Sequence, residues 1–574
     1  NNEFDYESYI TSFNVDSLVV ILEAATRLSL VRELAIPAID KFVVPMVEGS
    51  DLVKLVNFQG YTKEEFVEDL RTIVGIIADA NEFGATDIYK GEEINYANSE
   101  PVKAVLTKLL SLNFLTNKGE AIVDVLETML GDLDVNLALF DVNEVDFAND
   151  GLALGEFYEA LLPILTDEAF TLTSLDAIKA FIEDLDYEPL LKDAYAHTLL
   201  DALKVLVTTT LVKELIPVAF DFGRQMVPSE FAFVFDLTVV TEDLVVEDLI
   251  KVLDTMHIAV NLGAVRYFRG FEIKLTGIEE EVGQFIRSLT ELNILAHHYP
   301  ELVTTALEYF VDVDTTGIDL SGIVWADEFE HLISAVQELI RLVNANELTT
   351  VQEVMDFVTE LMDGEIDYMT LITTENVDGV VTVLEALTEM NLVYELAFNL
   401  FDAFVEPMLE DMATYIQTLA TLEGYTPSTL REDVKAIVSI LRNASEFGAV
   451  DIYDGYPINF ANTEPVVAIL ETLLSLNYLE MNKARIVEAL EDLLGMDLYK
   501  VNLNILDLPA DGEKLGRFYV ELSEILTDDE FIIKSLDDIL DIMSGAMEFD
   551  YMDLVRADYA YALIDALREL VSMS

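Results

Sequence analysis

Residues Glu82–Pro101 read EFGATDIYKGEEINYANSEP, and residues Glu446–Pro465 read EFGAVDIYDGYPINFANTEP. The two align without a gap at a separation of 364 residues (446 − 82). Outward from them, an apolar residue followed by Asp-Tyr recurs at Phe4-Asp5-Tyr6, Leu185-Asp186-Tyr187, Ile366-Asp367-Tyr368 and Phe549-Asp550-Tyr551, with the Asp residues 181, 181 and 183 apart. The separation of 364 is therefore two periods of about 182 residues, the signature of a tandem array.

Other segments keep the same step. LVRELAIPAID from Leu30 corresponds to LVKELIPVAFD from Leu211 and LVYELAFNLFD from Leu392. SLNFL at Ser111, ELNIL at Glu291 and SLNYL at Ser475 mark a second signature. The middle copy retains only a reduced form of the opening stretch, NLGAVRYFRGFEIKLTG from Asn261 to Gly277. A fainter half period shows in the likeness of VLEALTEMNLV near Asn391 to ILETLLSLNYL near Asn477. It suggests that each copy is two related helical subunits. The frame gives modules 1–184, 185–365 (divergent) and 366–548, with 549–574 as the start of a fourth repeat or a terminal docking helix.

The periodicity is helical. Between Thr62 and Ala80, Phe66, Leu70, Ile73, Val74 and Ile77 recur at the three-and-four spacing of one helix face. Thr62 with Glu65 forms a capping-box pattern, and Pro427 after Thr426 takes the favoured first helical position. Gly131 and Gly495 stand where helices should stop. The glycine-bearing stretch quoted above breaks the period and reads as a loop or short hairpin insert in each module. The fold expected is all-α: three tandem modules, each of about seven to nine helices of ordinary length, forming an elongated rod or solenoid.

Composition limits function. With 32 basic and 108 acidic residues the formal charge is −76, while 52% of residues are hydrophobic. That much apolar material supports a core and excludes a disordered acidic tail. So much negative charge excludes nucleic acid and disfavours anionic membranes. No uncharged apolar run reaches the roughly 18–20 residues of a membrane span. Cys is absent, so disulfides, thiolate nucleophiles and Cys-type metal sites are excluded. The chain opens at Asn1 without a basic-then-apolar leader, as expected of a processed chain or a piece of a longer one.

Chemistry-bearing patterns are few. There is no GxxxxGK[ST], GxGxxG or GxSxG, and no HExxH around His197, His257, His297, His298 or His331. Adjacent His297 and His298 read as turn or solvent residues. Asp312-Val-Asp314-Thr-Thr316-Gly317-Ile318-Asp319 begins like a calcium loop, yet its twelfth position is Ile323. It reads as an acidic turn. The acid runs Glu279-Glu280-Glu281, Asp528-Asp529-Glu530 and Asp537-Asp538 read as solvated faces. No catalytic, cofactor or metal residue is assigned, beyond nonspecific Ca2+ or Mg2+ at acidic surfaces.

Two constellations remain. The repeated loop motif is Asp87, Tyr89, Gly91 and Asn95, returning as Asp451, Tyr453, Gly455 and Asn459. Its glycines and amides suit turns, with Ile and Tyr plugging the loop onto helices; the alternative is a contact edge toward a neighbour. In the partial fourth copy, Leu563, Ile564, Leu567 and Leu570 form an apolar stripe expected to mark an assembly interface. Features that repeat suit a structural role better than a single active site. The reading is a non-enzymatic protein that polymerises with itself, head to tail, into an extracellular or cell-surface filament, sheath or array. The alternative is a soluble, cytoplasmic acidic scaffold for basic protein partners.

A charge of −76 opposes compaction when screening is weak. The melting temperature is expected to rise with NaCl and further with millimolar Mg2+ or Ca2+; a flat thermal-denaturation series against both would remove charge as a controlling variable.

Overall fold

The computed structural model describes residues 11–573 apart from 48–52, 57, 59, 131–134, 185–189, 363–371, 410–411, 495–504 and 545–558. All four Asp-Tyr motifs, Gly131 and Gly495 lie outside the described residues. The fold is all-helical. Among the described residues the only β-type pairing is one isolated bridge, Lys274 to Thr350. Two compact units form, one of Asn1–Ile273 with Ser288–Leu302, the other of Lys274–Arg287 with Val303–Ser574. The division runs through the second sequence copy.

In the first unit the principal helices are α1 (Ser12–Thr26), α2 (Ser29–Phe42), α3 (Lys63–Phe83), α4 (Ser99–Leu110), α5 (Asn113–Leu130), α6 (Phe147–Leu165), α7 (Asp193–Val207), α8 (Thr210–Met226) and α9 (Glu242–Asn261). Each long helix packs on the next or the next but one of these: α1 on α3, α3 on α4, α4 on α6, α6 on α7, α7 on α9. The second unit repeats this with α10 (Trp325–Ala345), α11 (Val351–Met362), α12 (Thr374–Thr388), α13 (Asn391–Leu400), α14 (Pro427–Phe447), α15 (Thr463–Leu474), α16 (Leu508–Leu526) and α17 (Ala560–Val571). There α10 packs on α12, α12 on α14, α14 on α15, α15 on α16 and α16 on α17.

Local sequence explains the ends of these helices. Thr62 and Glu65 exchange both bonds of the capping box at the start of α3, and Thr426 caps α14 with Pro427 at its first position. Gly84 and Gly448 close α3 and α14 in the left-handed region, at φ +99° and +84°. An L side chain there would be strained.

What the sequence periodicity does not show is how the helices are tied together. Asp69, buried in α3, accepts the backbone N–H of Asn113 at 2.8 Å and of Phe114 at 2.8 Å, plus the Asn113 amide at 3.0 Å. Asp248 does the same for Asn293 and Ile294, both backbone bonds at 2.7 Å. Asp433 repeats it for Asn477 and Tyr478, again at 2.7 Å. A second series alternates with the first. Asp150 in α6 takes the N–H groups of Thr210 and Leu211 at 3.0 and 2.8 Å, and Glu328 in α10 takes those of Asn391 and Leu392 at 2.9 and 3.1 Å. Asp511 stands at the same place in α16, buried, with Lys514 Nζ 3.2 Å away.

In each complete case a buried carboxylate grips the first two amides of a helix 44 to 64 residues downstream. The N–H groups at a helix start have no partner within the helix, and the helix dipole favours an anion there. The half period thus has a physical basis, one carboxylate clasp per half copy. The clasps of Asp150 and Glu328 join residues on either side of positions 185 and 366.

Glycine brings α6 and α16 close to their neighbours. A Cβ on Gly151 would sit 3.1 Å from the Thr107 carbonyl oxygen, and one on Gly512 would sit 3.2 Å from Glu471 Cα.

Replacing a clasp acid strands a carbonyl-free helix start in the interior. Asp433→Ala is expected to cost about 2–4 kcal/mol in urea unfolding, and the exposed control Asp454→Ala under about 0.5 kcal/mol. Equal midpoints for the two variants would show the clasp to be dispensable.

Candidate functional site

The repeated loop is a short helix and a turn, which corrects the expected loop or hairpin. Gly84, Gly263 and Gly448 each end a long helix, and the chain at once restarts as Ala85–Tyr89, Ala264–Phe268 and Ala449–Tyr453. A second glycine, Gly91, Gly270 or Gly455, then turns it at positive φ. Asp87 accepts the hydroxyl of Ser12 at 3.2 Å and Asp451 that of Thr374 at 3.3 Å, tying each short helix to the start of α1 or α12. Asn95 and Asn459 close the next turn through their carbonyls, which accept the N–H groups of Asn98 and Asn462 at 3.1 Å.

Past the turn the chain makes one long-range backbone bond per copy, each at 2.7 Å: Ile94 N–H to Thr173, Leu275 N–H to Thr349 and Ile458 N–H to Lys534. The acceptor strip is itself clamped. Glu353 receives the N–H groups of Thr349 and Thr350, and Asp538 those of Lys534 and Ser535. These backbone donors hold both carboxyls below the ordinary range.

Ile88 is buried as the sequence suggests, but Tyr89 does not plug the loop. Tyr89, Phe268 and Tyr453, at corresponding places in the three copies, are 58%, 77% and 54% exposed. In the first copy the short helix turns Ile88 in and Tyr89 out; in the second and third its buried residues are Val265 and Val450, and Tyr267 is exposed beside Phe268.

The stripe on α17 is best understood through α7, its internal counterpart 364 residues earlier. In α7, Tyr195 packs with Ile164 and Phe170 on the α6 side, while Leu200, Leu203 and Val207 pack with Leu253 and Val260 of α9. Both faces are covered. In α17, Tyr559 and Leu563 pack with Ile525 and Phe531, reproducing the first face. Ile564, Leu567 and Val571 correspond to the second; Ile564, Leu567 and Leu570 are 54%, 45% and 41% exposed. Three of the four sequence-selected residues thus face out, and Leu563 belongs to the core. At α1 the opposite face is open at Ile21, 64% exposed where its α7 counterpart Ala202 is fully buried; Leu18 is 48% exposed, much as its counterpart Leu199 is at 44%, and Val19 is buried.

The other candidates stay local. His298 lies in the expected turn, but buried, with its ring 5.3 Å from that of Phe233; His297 bonds the Asn293 carbonyl at 2.7 Å. His197 and His257 stack with Nδ1 atoms 2.7 Å apart. In the calcium-like segment Asp314 and Asp319 accept N–H groups two residues on, from Thr316 and Ser321, as turn acids do. Among the described residues no group of three or more acids and histidines could hold a metal ion. No described helix is long and apolar enough to cross a membrane.

No protein-family model, curated protein or solved structure matches this chain.

Tyrosines next to the clasps are strongly perturbed. Burial, and then the Asp69 and Asp433 carboxylates to which they donate, push Tyr61 and Tyr425 far up. Burial likewise pushes Tyr299 and Tyr394 up to about 12 from 10.0. A phenol raised in the folded state contributes stability in full below its unfolded value, which is lost as pH rises through the folded value. Helical circular dichroism is therefore expected to collapse between about pH 10 and 12, together with tyrosinate absorbance. Tyrosinate signal appearing fully by pH 10 with the helices intact would contradict these burials.

Proposed function

We propose that this is a non-enzymatic structural repeat protein whose three copies extend as a rod or solenoid and join head to tail into an extracellular or cell-surface filament, sheath or array. The observation that carries the reading is the pair of half-covered helices. Internally, α7 is covered on both faces. Ile564 and Leu567 of α17 and Ile21 of α1 are exposed where their counterparts Leu200, Leu203 and Ala202 in α7 pack inside. Docking the bare stripe of one subunit's α17 on the bare stripe of the next subunit's α1 hides both. That contact joins unlike surfaces, so it need not close and propagates.

The rest of the molecule supports the same reading. Its distinctive features are the clasps and turn helices, which recur from copy to copy and serve packing. Acid excess keeps free subunits apart, and salt or divalent cations that screen it favour joining. Such ions bind the acidic surface without a dedicated site. The acidic scaffold for basic partners is the second reading, favoured by the formal charge of −76.

Burying a Leu or Ile side chain is worth about 1.5–3 kcal/mol. Ile564→Ser with Leu567→Ser on one face, or Leu18→Ser with Ile21→Ser on the other, should each weaken assembly by at least about 100-fold. Sedimentation velocity and negative-stain electron microscopy in NaCl and Mg2+ provide the test. Variants with native helicity that polymerise like the parent would defeat the end-to-end contact. Binding of a basic protein by a chain that never polymerises would favour the scaffold.

A further inference from the structure

The three copies differ beside the turn strip. In the first copy Tyr96, Phe170 and Tyr195 fill the space between the turn strip, the end of α6 and α7. Tyr96 and Phe170 meet edge to face at 5.9 Å, and the Tyr96 hydroxyl donates to the Leu172 carbonyl at 2.7 Å. The third copy has Phe460, Phe531 and Tyr559 at these positions, with Phe531 and Tyr559 again in one buried cluster.

The backbone bonds that close the turn strip (Ile94 to Thr173, Leu275 to Thr349, Ile458 to Lys534) fix the register of the second copy. Counting from them, Gly277 and Asn346 stand where the first copy has Tyr96 and Phe170, and the 181-residue step from Leu211 to Leu392 places Asn376 at the position of Tyr195. Asn346 and Asn376 meet as Phe170 and Tyr195 do, the Asn346 amide donating to Asn376 Oδ1 at 2.6 Å and to the Leu342 carbonyl at 2.9 Å. Where the rings would be there is a cavity of about 410 Å³, lined by Leu275, Ile340, Leu348, Val354 and Phe357, with exposed Leu339, Val358 and Val380 at its mouth.

We propose that this cavity in the second copy is a binding site for a small, neutral aromatic molecule carrying a hydroxyl group. Its volume lies within the roughly 300–1,000 Å³ of small-molecule pockets. Two of its walls, Ile340 and Leu348, correspond to Ile164 and Leu172 of the first copy and to Ile525 and Ile533 of the third, which pack against the aromatic rings there, so an aromatic ring is the shape they fit. Among the described residues, Asn346 and Asn376 are the polar side chains of the lining and no charged group lines it to pair with an ionic ligand. The Asn346 N–H groups are engaged, and its Oδ1 can accept from a hydroxyl. A chain of formal charge −76 also repels anions. Loss of three rings beside Ile340 and Leu348 is the change that turns a packed core into a pocket. The site does not depend on assembly.

The test uses the full chain and 2-naphthol, followed by calorimetry and by the probe's fluorescence. The parent should bind one equivalent saturably, and naphthalene, which lacks the hydroxyl, should bind about 10-fold more weakly, the effect of one lost hydrogen bond. Asn346→Phe, which restores the ring of the other copies, should abolish binding while preserving or raising the melting temperature. Val358→Trp blocks the mouth without entering the packed walls and should do the same if Asn346→Phe fails to fold. Absence of saturable binding to the parent overturns the proposal, as does binding that survives in folded Asn346→Phe or Val358→Trp. A parent that fails to bind 2-naphthol, with a sedimentation coefficient that changes on Asn346→Phe, would assign the cavity to a side chain of a second copy and also overturn it.

Discussion

A carboxylate buried against the start of a distant helix is the interaction on which this architecture rests. Taking a charge out of water is costly, and the cost is offset only where several donors converge on it. Asp69, Asp248 and Asp433 each meet two backbone N–H groups and an asparagine amide. Those N–H groups would otherwise be orphaned at the helix start. Each clasp solves two desolvation problems with one contact and fixes where the next helix begins.

The alternation of clasps gives the half copy its physical meaning. Asp150 followed by Gly151, and Asp511 followed by Gly512, sit on helices drawn close to a neighbour. The second copy has Glu328 followed by Phe329. There the acid that still reaches its helix start is the longer one, in the helix that lacks the small residue. Divergence in that copy has kept the clasp and altered its reach, while nearby it has exchanged three aromatic positions for Gly277, Asn346 and Asn376. Maintenance of the ties alongside erosion of one core cluster separates what the fold requires from what it tolerates.

Charge acts over the whole molecule and packing acts locally. Most exposed pairs, such as Arg287 with Glu330, contribute little in water. The acid excess they leave unpaired sets solubility and the response to salt. In the assembly proposed above, association would come from apolar stripes such as that on α17, with screening deciding when those stripes can meet.

The sequence by itself determined the all-helical class, the period of about 182 residues and many helix ends, because these follow from local rules. The Thr62–Glu65 box, Pro427 at a first helical position and the left-handed Gly84 and Gly448 are each set within four residues of chain. The restart of the helix at Ala85–Tyr89 was hidden because a five-residue helix carries no period. Only the tertiary structure decided which acids are structural. Among 108 acidic residues, Asp69 differs from a solvated neighbour through Tyr61 and, above all, through partners 44 and 45 positions away. One trace was legible in principle: each Asn of SLN, ELN and SLN lies 44 or 45 residues after a clasp acid. Which face of α17 or α1 stays bare, and that Asn346 and Asn376 meet across a cavity, likewise depends on contacts between residues distant in sequence, where no local pattern reaches.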